Sequence, residues 1–515
     1  MPGKYQTPKG KKKNSRRRRS PLIPILIVLC LALAGTLGFA VWKLLPEITG
    51  SGAGEPVMQT EPSTEVTTEV TEEETTEPPP PETTVPVPEH VVTTATVGAM
   101  GDLLMHLPII NSCKQSDGSY DFSGIFEYIK DDISACDYAA ANLETTLAGT
   151  SMAYSGYPNF NCPDEIVSGA QDAGFDMLLT ANNHCFDTGI SGYMRTIETC
   201  ESYGIDHIGT MSSADDPKYI IRDVNGIKIG MICYTYETTD GSGSIPSLNG
   251  LPMYNGSYDL INTFSYSNLP KFYEQLGTYV QQMKDEGAEA IMLFIHWGIE
   301  YVLYAREEEQ AIAQKVCDAG VDVIVGGHPH VVEPVSVLTS TDDPDHRTVC
   351  IYSLGNAVSN QRLGNISYVS TAHTEDGALF TVTFEKYSDG KVYLAGADVL
   401  PTWVYYSANN WPATYRIMPL HIEDADSWAE QYGISDTTVN AMRKSYDRTW
   451  AIVGEGVEWT QNWLAEEKIA REDYYYDLAF FPEKYAQEAE EEVSEELPEE
   501  TSEELTEETA LPAAA

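Results

Sequence analysis

The stretch VDVIV at residues 321–325 runs without a break into GGHPH at 326–330. The first five residues are mostly apolar and β-branched, too few for a stable helix, and are closed by glycines. Such a run reads as a buried strand. The polar half that follows sets two imidazoles two residues apart, His328 and His330, directly after a double glycine. If the loop bends suitably, both rings face one cavity. Pro329 biases His328 toward an extended backbone, which restricts that bend.

The same strand-then-polar-cluster pattern occurs four more times. TATVGAM (94–100) leads to Gly101-Asp102, and DYAAA (137–141) to Asn142-Leu143-Glu144. FDMLLT (175–180) leads to Asn182-Asn183-His184, and AIMLFI (290–295) to His296-Trp297-Gly298. Helical patterns fall between these runs at Ile190–Tyr203, Leu269–Asp285 and Glu307–Ala319. Strand and helix therefore alternate, which predicts an α/β layered domain. Asn225-Gly226, between Tyr219–Asp223 and Ile227–Thr235, predicts a two-residue hairpin. Further strands are expected at Thr348–Ser353 and Ala378–Phe384, and helical stretches around Asp426–Trp450.

All five polar clusters stand at carboxyl ends of strands, where open α/β sheets place their ligand sites. A single histidine at a strand end is usually a satisfied loop residue. Five donor-bearing clusters at one topological position point instead to a shared site. Asp102, Glu144, Asn183, His296, His328 and His330 offer oxygen and imidazole donors, a mixture suited to Mn, Fe or Zn rather than to a thiolate metal. Nine cysteines are present without a CxxC pair, which argues against a zinc–cysteine site. An oxidising exterior would permit disulfides without saying which thiols pair.

The ends of the chain have a different character. Residues 1–20 carry nine Lys and Arg and no acid, and Leu22–Trp42 is uncharged and mostly apolar. That span is about the twenty residues a helix needs to cross a bilayer. A cleavable signal peptide would have a shorter apolar core of roughly 7–15 residues, although Ala32, Ala34, Gly35 and Ala40 leave room for cleavage. The reading is a cytoplasmic basic segment (1–20), a signal-anchor (21–45) and an extracytoplasmic remainder at the cell membrane. Net charge is −47, and residues 51–90 hold ten Glu and no base, as residues 487–515 hold twelve. Neither segment has the apolar surface to offset chain entropy, so 46–91 reads as a disordered stalk and 487–515 as a disordered tail. The folded part is then 92–400, with 401–486 as a C-terminal extension packed on it. Its acidity argues against nucleic acid as a partner.

Six motifs in order carry a family resemblance: GDLLMH (101–106), ANLETTL (141–147), ANNHCFDTG (181–189), HWGIEY (296–301), GGHPHVVEP (326–334) and YSLGN (352–356). Over about residues 93–400 the chain resembles the bacterial capsule-synthesis CapA family, associated with poly-γ-glutamate production and belonging to the calcineurin-like metallophosphoesterase superfamily. The resemblance implies a four-layer α/β/β/α sandwich with a two-metal site between its sheets. It implies Asp102 as a first-motif ligand, Glu144 as the bridging carboxylate, Asn183 on the second metal, and His296, His328 and His330 as later ligands. His184 would be the general acid. Two departures stand out. Leu104 occupies the place of the superfamily's first-motif His, with His106 two residues further on, and Glu144 replaces the usual bridging Asp. One or two divalent ions per chain remain open on this account.

Around that set, Asp187 either orients His184 or makes the turn before Thr188-Gly189. Glu300 either supports the site or faces solvent. Trp297 lines the cleft or sits in the core, and Asn356 caps the site or makes a turn. Two functions follow. One is a metal-dependent hydrolase acting outside the cell on a phosphoester, or on an amide of an anionic polymer. The other is a non-catalytic accessory subunit working with capsule or polyglutamate synthase subunits in a synthesis and export complex.

Overall fold

The computed structural model describes residues 86–239, 243–253, 256–367, 369–409 and 412–485. The expected basic segment, signal-anchor, most of the stalk and the Glu-rich tail lie outside the described residues. Among the described residues no helix is long and apolar enough to cross a membrane.

The chain builds one sheet, crosses to a second, and returns. β1 (Val91–Leu103), β2 (Tyr138–Leu143), β3 (Met177–Leu179) and β4 (Asp206–Ile208) run parallel in the first sheet. β5 (Ile220–Val224) and β6 (Ile227–Tyr236) form the expected hairpin, with Asn225 at φ 55° and Gly226 at φ 85° in its turn. These left-handed angles are what a two-residue turn of this type demands. β7 (Thr238–Thr239), β8 (Pro246–Leu248) and β9 (Leu251–Pro252) make a small separate sheet. β10 (Thr263–Phe264), β11 (Ala290–His296), β12 (Val323–Gly327), β13 (Val335–Thr339) and β14 (Arg347–Ile351) complete the second sheet, in the order β10-β6-β11-β12-β14-β13. The return adds β15 (Asn356–Val358), β16 (Asp376–Tyr387), β17 (Val392–Ser407) and β18 (Thr414–Pro419) to the first sheet, in the order β18-β17-β16-β1-β2-β3-β4 with β15 beside β1. The division drawn after residue 400 falls inside β17.

The central strands are buried along their whole length, so their runs read as continuously apolar rather than alternating. The period of two is present in the packing instead. Ala140 faces one core while Ala139 and Ala141 face another; Met292 and Phe294 part from Ile291, Leu293 and Ile295 in the same way. The shared core joins Val97 and Ala99 of β1 to Met231, Phe294, Val325 and Ile351 of the second sheet, so the two sheets face each other across it. The first sheet's other face packs on helix α1 (Glu165–Ala173), and the second sheet's on α3 (Leu269–Asp285) and α4 (Glu307–Asp318). Helix α2 (Gly189–Tyr203) contributes Tyr193 and Ile197 to the shared core.

The helical stretch around Asp426–Trp450 is in fact a short turn at Trp428–Gln431 followed by α5 (Asp436–Phe480), 45 residues long. Ser435 caps it, its hydroxyl accepting the Thr438 N–H. Its buried stripe runs Met442, Ser445, Thr449, Val453, Val457, Thr460, Leu464 at helical spacing. A Cβ at Gly456 would stand 2.1 Å from the Val335 carbonyl oxygen, so glycine lets α5 lie directly against β13.

Candidate metal centre

The strand ends converge as expected. Asp102 closes β1 in register with Asn142 of β2 and Asn356 of β15. Glu144 follows β2, Asn183 and His184 follow β3, His296 ends β11, and His328 and His330 follow β12. All of these side chains are buried, Asp102 and Glu144 completely.

Among the described residues two groups of donors have ligand atoms within 4.8 Å of one another: Asp102, Glu144 and His296, and Glu144, His328 and His330. Glu144 belongs to both. Its Oε1 lies 3.7 Å from His296 Nε2 and 3.8 Å from His330 Nε2, and it has no hydrogen-bond partner. Asp102 Oδ1 accepts from Asn142 Nδ2 at 2.8 Å, and its Oδ2 faces His330 Nδ1 at 2.9 Å. Asn183 joins through its Oδ1, 2.9 Å from His296 Nε2.

Burial raises the Glu144 carboxyl well above its ordinary range, and the charge of Asp102 adds to the effect. Burial also holds His296 and His328 well below the usual imidazole range, with His328 and His330 respectively the next contributors. The rings are therefore neutral, the form that ligates a cation. His328 Nδ1, like Glu144 Oε1, is buried without a partner. Unmet polar atoms of this kind, beside two buried carboxylates, fit a divalent ion.

The His-Pro-His loop departs from expectation. His328 has φ 99° rather than an extended conformation, and His330 has φ 57°. Each such angle in a non-glycine residue costs about 1–3 kcal/mol and persists only where neighbours over-determine it. Those neighbours are visible. Trp297 N–H donates to Gly327 O at 3.0 Å and Tyr301 N–H to Pro329 O at 2.7 Å. Asn356 Nδ2 donates to His330 O at 3.1 Å, to Gln361 Oε1 and to Thr374 O. Asn356 thus braces the loop. Gly326 has no room for a side chain, since a Cβ would meet Tyr352 O at 1.9 Å.

His184 and Asp187 form a pair beside this centre. His184 Nδ1 lies 2.8 Å from Asp187 Oδ2, and that oxygen also accepts the Phe160 N–H at 2.7 Å. The imidazole packs edge-on against Phe160. Asp187 therefore both contacts the ring and ties down the segment before it. Trp297 is fully buried and its indole N–H donates to Tyr352 O. Glu300 is exposed and its charge bears on Glu144. Leu104, in the position of the absent histidine, is a core residue. His106 lies close by, packed on Phe160, and burial pushes its imidazole down to about 4.

The sequence reading did not single out Asn142, Asn182 or Asn249. Asn142 bridges Asp102 and Glu144, and Asn182 ties Asn142 Oδ1 and Leu143 O to the His184 backbone. Buried asparagines inside apolar strand ends are their only local sign. Asn249, in an Asn-Gly turn, gives no sign that it reaches a site.

The cleft over His328 has a volume of about 710 Å³ and is lined by Tyr236, Tyr266, Ile299 and Glu300 among others. Its cation, Arg306, is paired with Glu308 at 2.9 Å and with Glu309.

Fold and site together define a class: an α/β protein whose two sheets present a buried carboxylate–imidazole centre fit for divalent metal. Residues 96–361 match the family described as bacterial capsule synthesis protein PGA_cap, and the chain belongs to that family. It is 27% identical over 304 residues to the PGA biosynthesis protein CapA of Bacillus subtilis (strain 168), spanning 58% of this chain and 70% of that one. It is 26% identical over 285 residues to the capsule biosynthesis protein CapA of Bacillus anthracis, spanning 54% of this chain and 63% of that one. β16 to β18 and α5 lie beyond the residues matched to the family.

Proposed function

We propose that this chain is a membrane-anchored, extracytoplasmic, metal-dependent hydrolase-type protein of capsule or poly-γ-glutamate biosynthesis. One observation carries the chemical half: Glu144 stands in both donor triads with a free Oε1 aimed between them. The names of the two relatives support the biological half. The apolar span at 22–42 supports the anchor, and the two facing sheets with helices outside support a four-layer α/β/β/α sandwich.

On this reading Asp102, Glu144, Asn183, His296, His328 and His330 hold one or two divalent ions, Mn, Fe or Zn. Such ions supply Lewis-acid polarisation and a water acidic enough to ionise near neutral pH. The chain's own residues do the remaining work. Glu144 is shared between the two positions. His184, steadied through Nδ1 by Asp187, keeps Nε2 for proton transfer to a leaving group. The cleft beside His328 receives the substrate. Its lining includes Glu237, Glu300 and Glu308, so an anionic polymer approaches it with its own counter-cations.

The test uses the detergent-solubilised full chain loaded with Mn²⁺ and bis(p-nitrophenyl) phosphate as a generic phosphodiester. Hydrolysis that His330→Ala abolishes is expected. Metal-dependent turnover that survives the substitution would sink the assignment. Metal binding with no turnover would give the chain the accessory role beside synthase subunits.

A further inference from the structure

Asn183 presents one end of a carboxamide to the metal centre, and only its oxygen end can ligate a cation. Something must decide which end that is. The second end is met by Asn249, whose Oδ1 lies 3.2 Å from Asn183 Nδ2. Asn249 belongs to neither large sheet: it sits in the turn between β8 and β9 of the small one, at φ 49°, with an exposed side chain. Its own Nδ2 lies 3.3 Å from His184 Nε2 and 3.4 Å from Nδ1.

These contacts form a directed chain. Asp187 Oδ2 stands 2.8 Å from His184 Nδ1 and holds that ring in place. Asn249 Nδ2 lies against the His184 ring, almost equally far from its two nitrogens. The other end of that amide, Asn249 Oδ1, is turned toward Asn183, where it accepts from Nδ2. Asn183 Oδ1 is left facing His296 and the donor triads. Reversing the Asn183 amide alone would set its oxygen against Asn249 Oδ1, acceptor against acceptor.

We propose that Asn249, carried over the site by the β8–β9 turn, is a positioning residue that fixes Asn183 with its oxygen toward the metal. The inference rests on the metal-centre reading above. Groups that orient a ligand from behind it commonly change metal affinity by about 10–100-fold when removed.

The experiment is a cycle of four full-length proteins: wild type, Asn249→Gly, Asn183→Asp and the double variant, with Mn²⁺ affinity read by titration calorimetry. Glycine takes the left-handed φ of residue 249 without strain, and melting temperatures confirm that each variant folds. Asn249→Gly should weaken Mn²⁺ binding about tenfold in the wild-type background. In the Asn183→Asp background it should change little, because a carboxylate shows oxygen at both ends. Asn249→Asp, which still accepts from Asn183, should keep binding within about twofold of wild type. Equal loss in both backgrounds, or no loss in either, overturns the proposal. If wild type binds no Mn²⁺, the metal reading falls, and a second measurement still decides the orientation. In metal-free protein the Asn183 carboxamide protons should exchange with water faster in Asn249→Gly than in wild type; unchanged exchange overturns it.

Discussion

Asp102 Oδ2 lies 2.9 Å from His330 Nδ1, and Nε2 of that ring is turned toward Glu144, 3.8 Å away. One carboxylate thereby acts twice, as a donor in the first triad and as the orienting group of a ring in the second. Removing it affects both. Asp102→Ala is expected to lower the affinity for Mn²⁺ by roughly 10–100-fold, as loss of an orienting group does. It is also expected to cut the rise in melting temperature that metal confers to about half or less. For wild type that stabilisation should reach about 2.7 kcal/mol with free metal at a hundred times its Kd. Metal analysis and melting with and without EDTA check this, and a metal-induced shift kept in full by Asp102→Ala would refute it.

Glu333 follows the His-Pro-His loop and is buried, with Oε2 unpartnered. Burial, with Glu309 adding to it, pushes its carboxyl up to about 8. In the unfolded chain the same group ionises near pH 4.3 or so. The native state therefore holds a proton that the unfolded state gives up. Its contribution to stability is whole below about pH 4.3 and is lost as pH rises toward 8, by up to about 1.4 kcal/mol per pH unit. Glu333→Gln stays neutral and should lose this slope. Urea midpoints of the two proteins from about pH 5 to 8 are expected to diverge as pH rises; parallel curves would mean the proton is not held.

Arg448 ties α5 to the first sheet. Its Nε donates to Asp376 Oδ2 at 2.7 Å, while Ser445 Oγ donates to Oδ1 at 2.5 Å. Asp376 is buried, and burial raises its carboxyl to about 6 even though Arg448 pulls it back down. Arg448→Met leaves that carboxylate in place without its cation, which in buried pairs costs about 3–5 kcal/mol. The raised acid sets the sign: the loss should be largest near pH 8, where Asp376 must be charged, and smaller near pH 5, where it takes up a proton. Denaturant melts at the two pH values measure it. A loss independent of pH would place the effect in packing rather than in charge.

Much of the fold was legible because its signals are local. Short apolar runs closed by glycines became β11 and β12 at nearly the expected bounds, and Asn225-Gly226 made its hairpin. The length of α5 was not legible. Its buried stripe includes Ser445, Thr449 and Thr460, polar residues that blur a helical hydrophobic period. Nor was the backbone of His328, where the local preference of a residue before proline gave way to hydrogen bonds from Trp297, Tyr301 and Asn356.

By itself the sequence determined the donor types, their place after strands and the family they belong to, because each of these is written within a few residues of chain. Tertiary structure decided which donors share an ion and which end of each side chain they turn to it. Those choices depend on contacts such as His330 with Asp102, 228 residues apart. Two sheets meeting face to face bring such groups together, and a hydrogen bond has a direction only once both partners are in place.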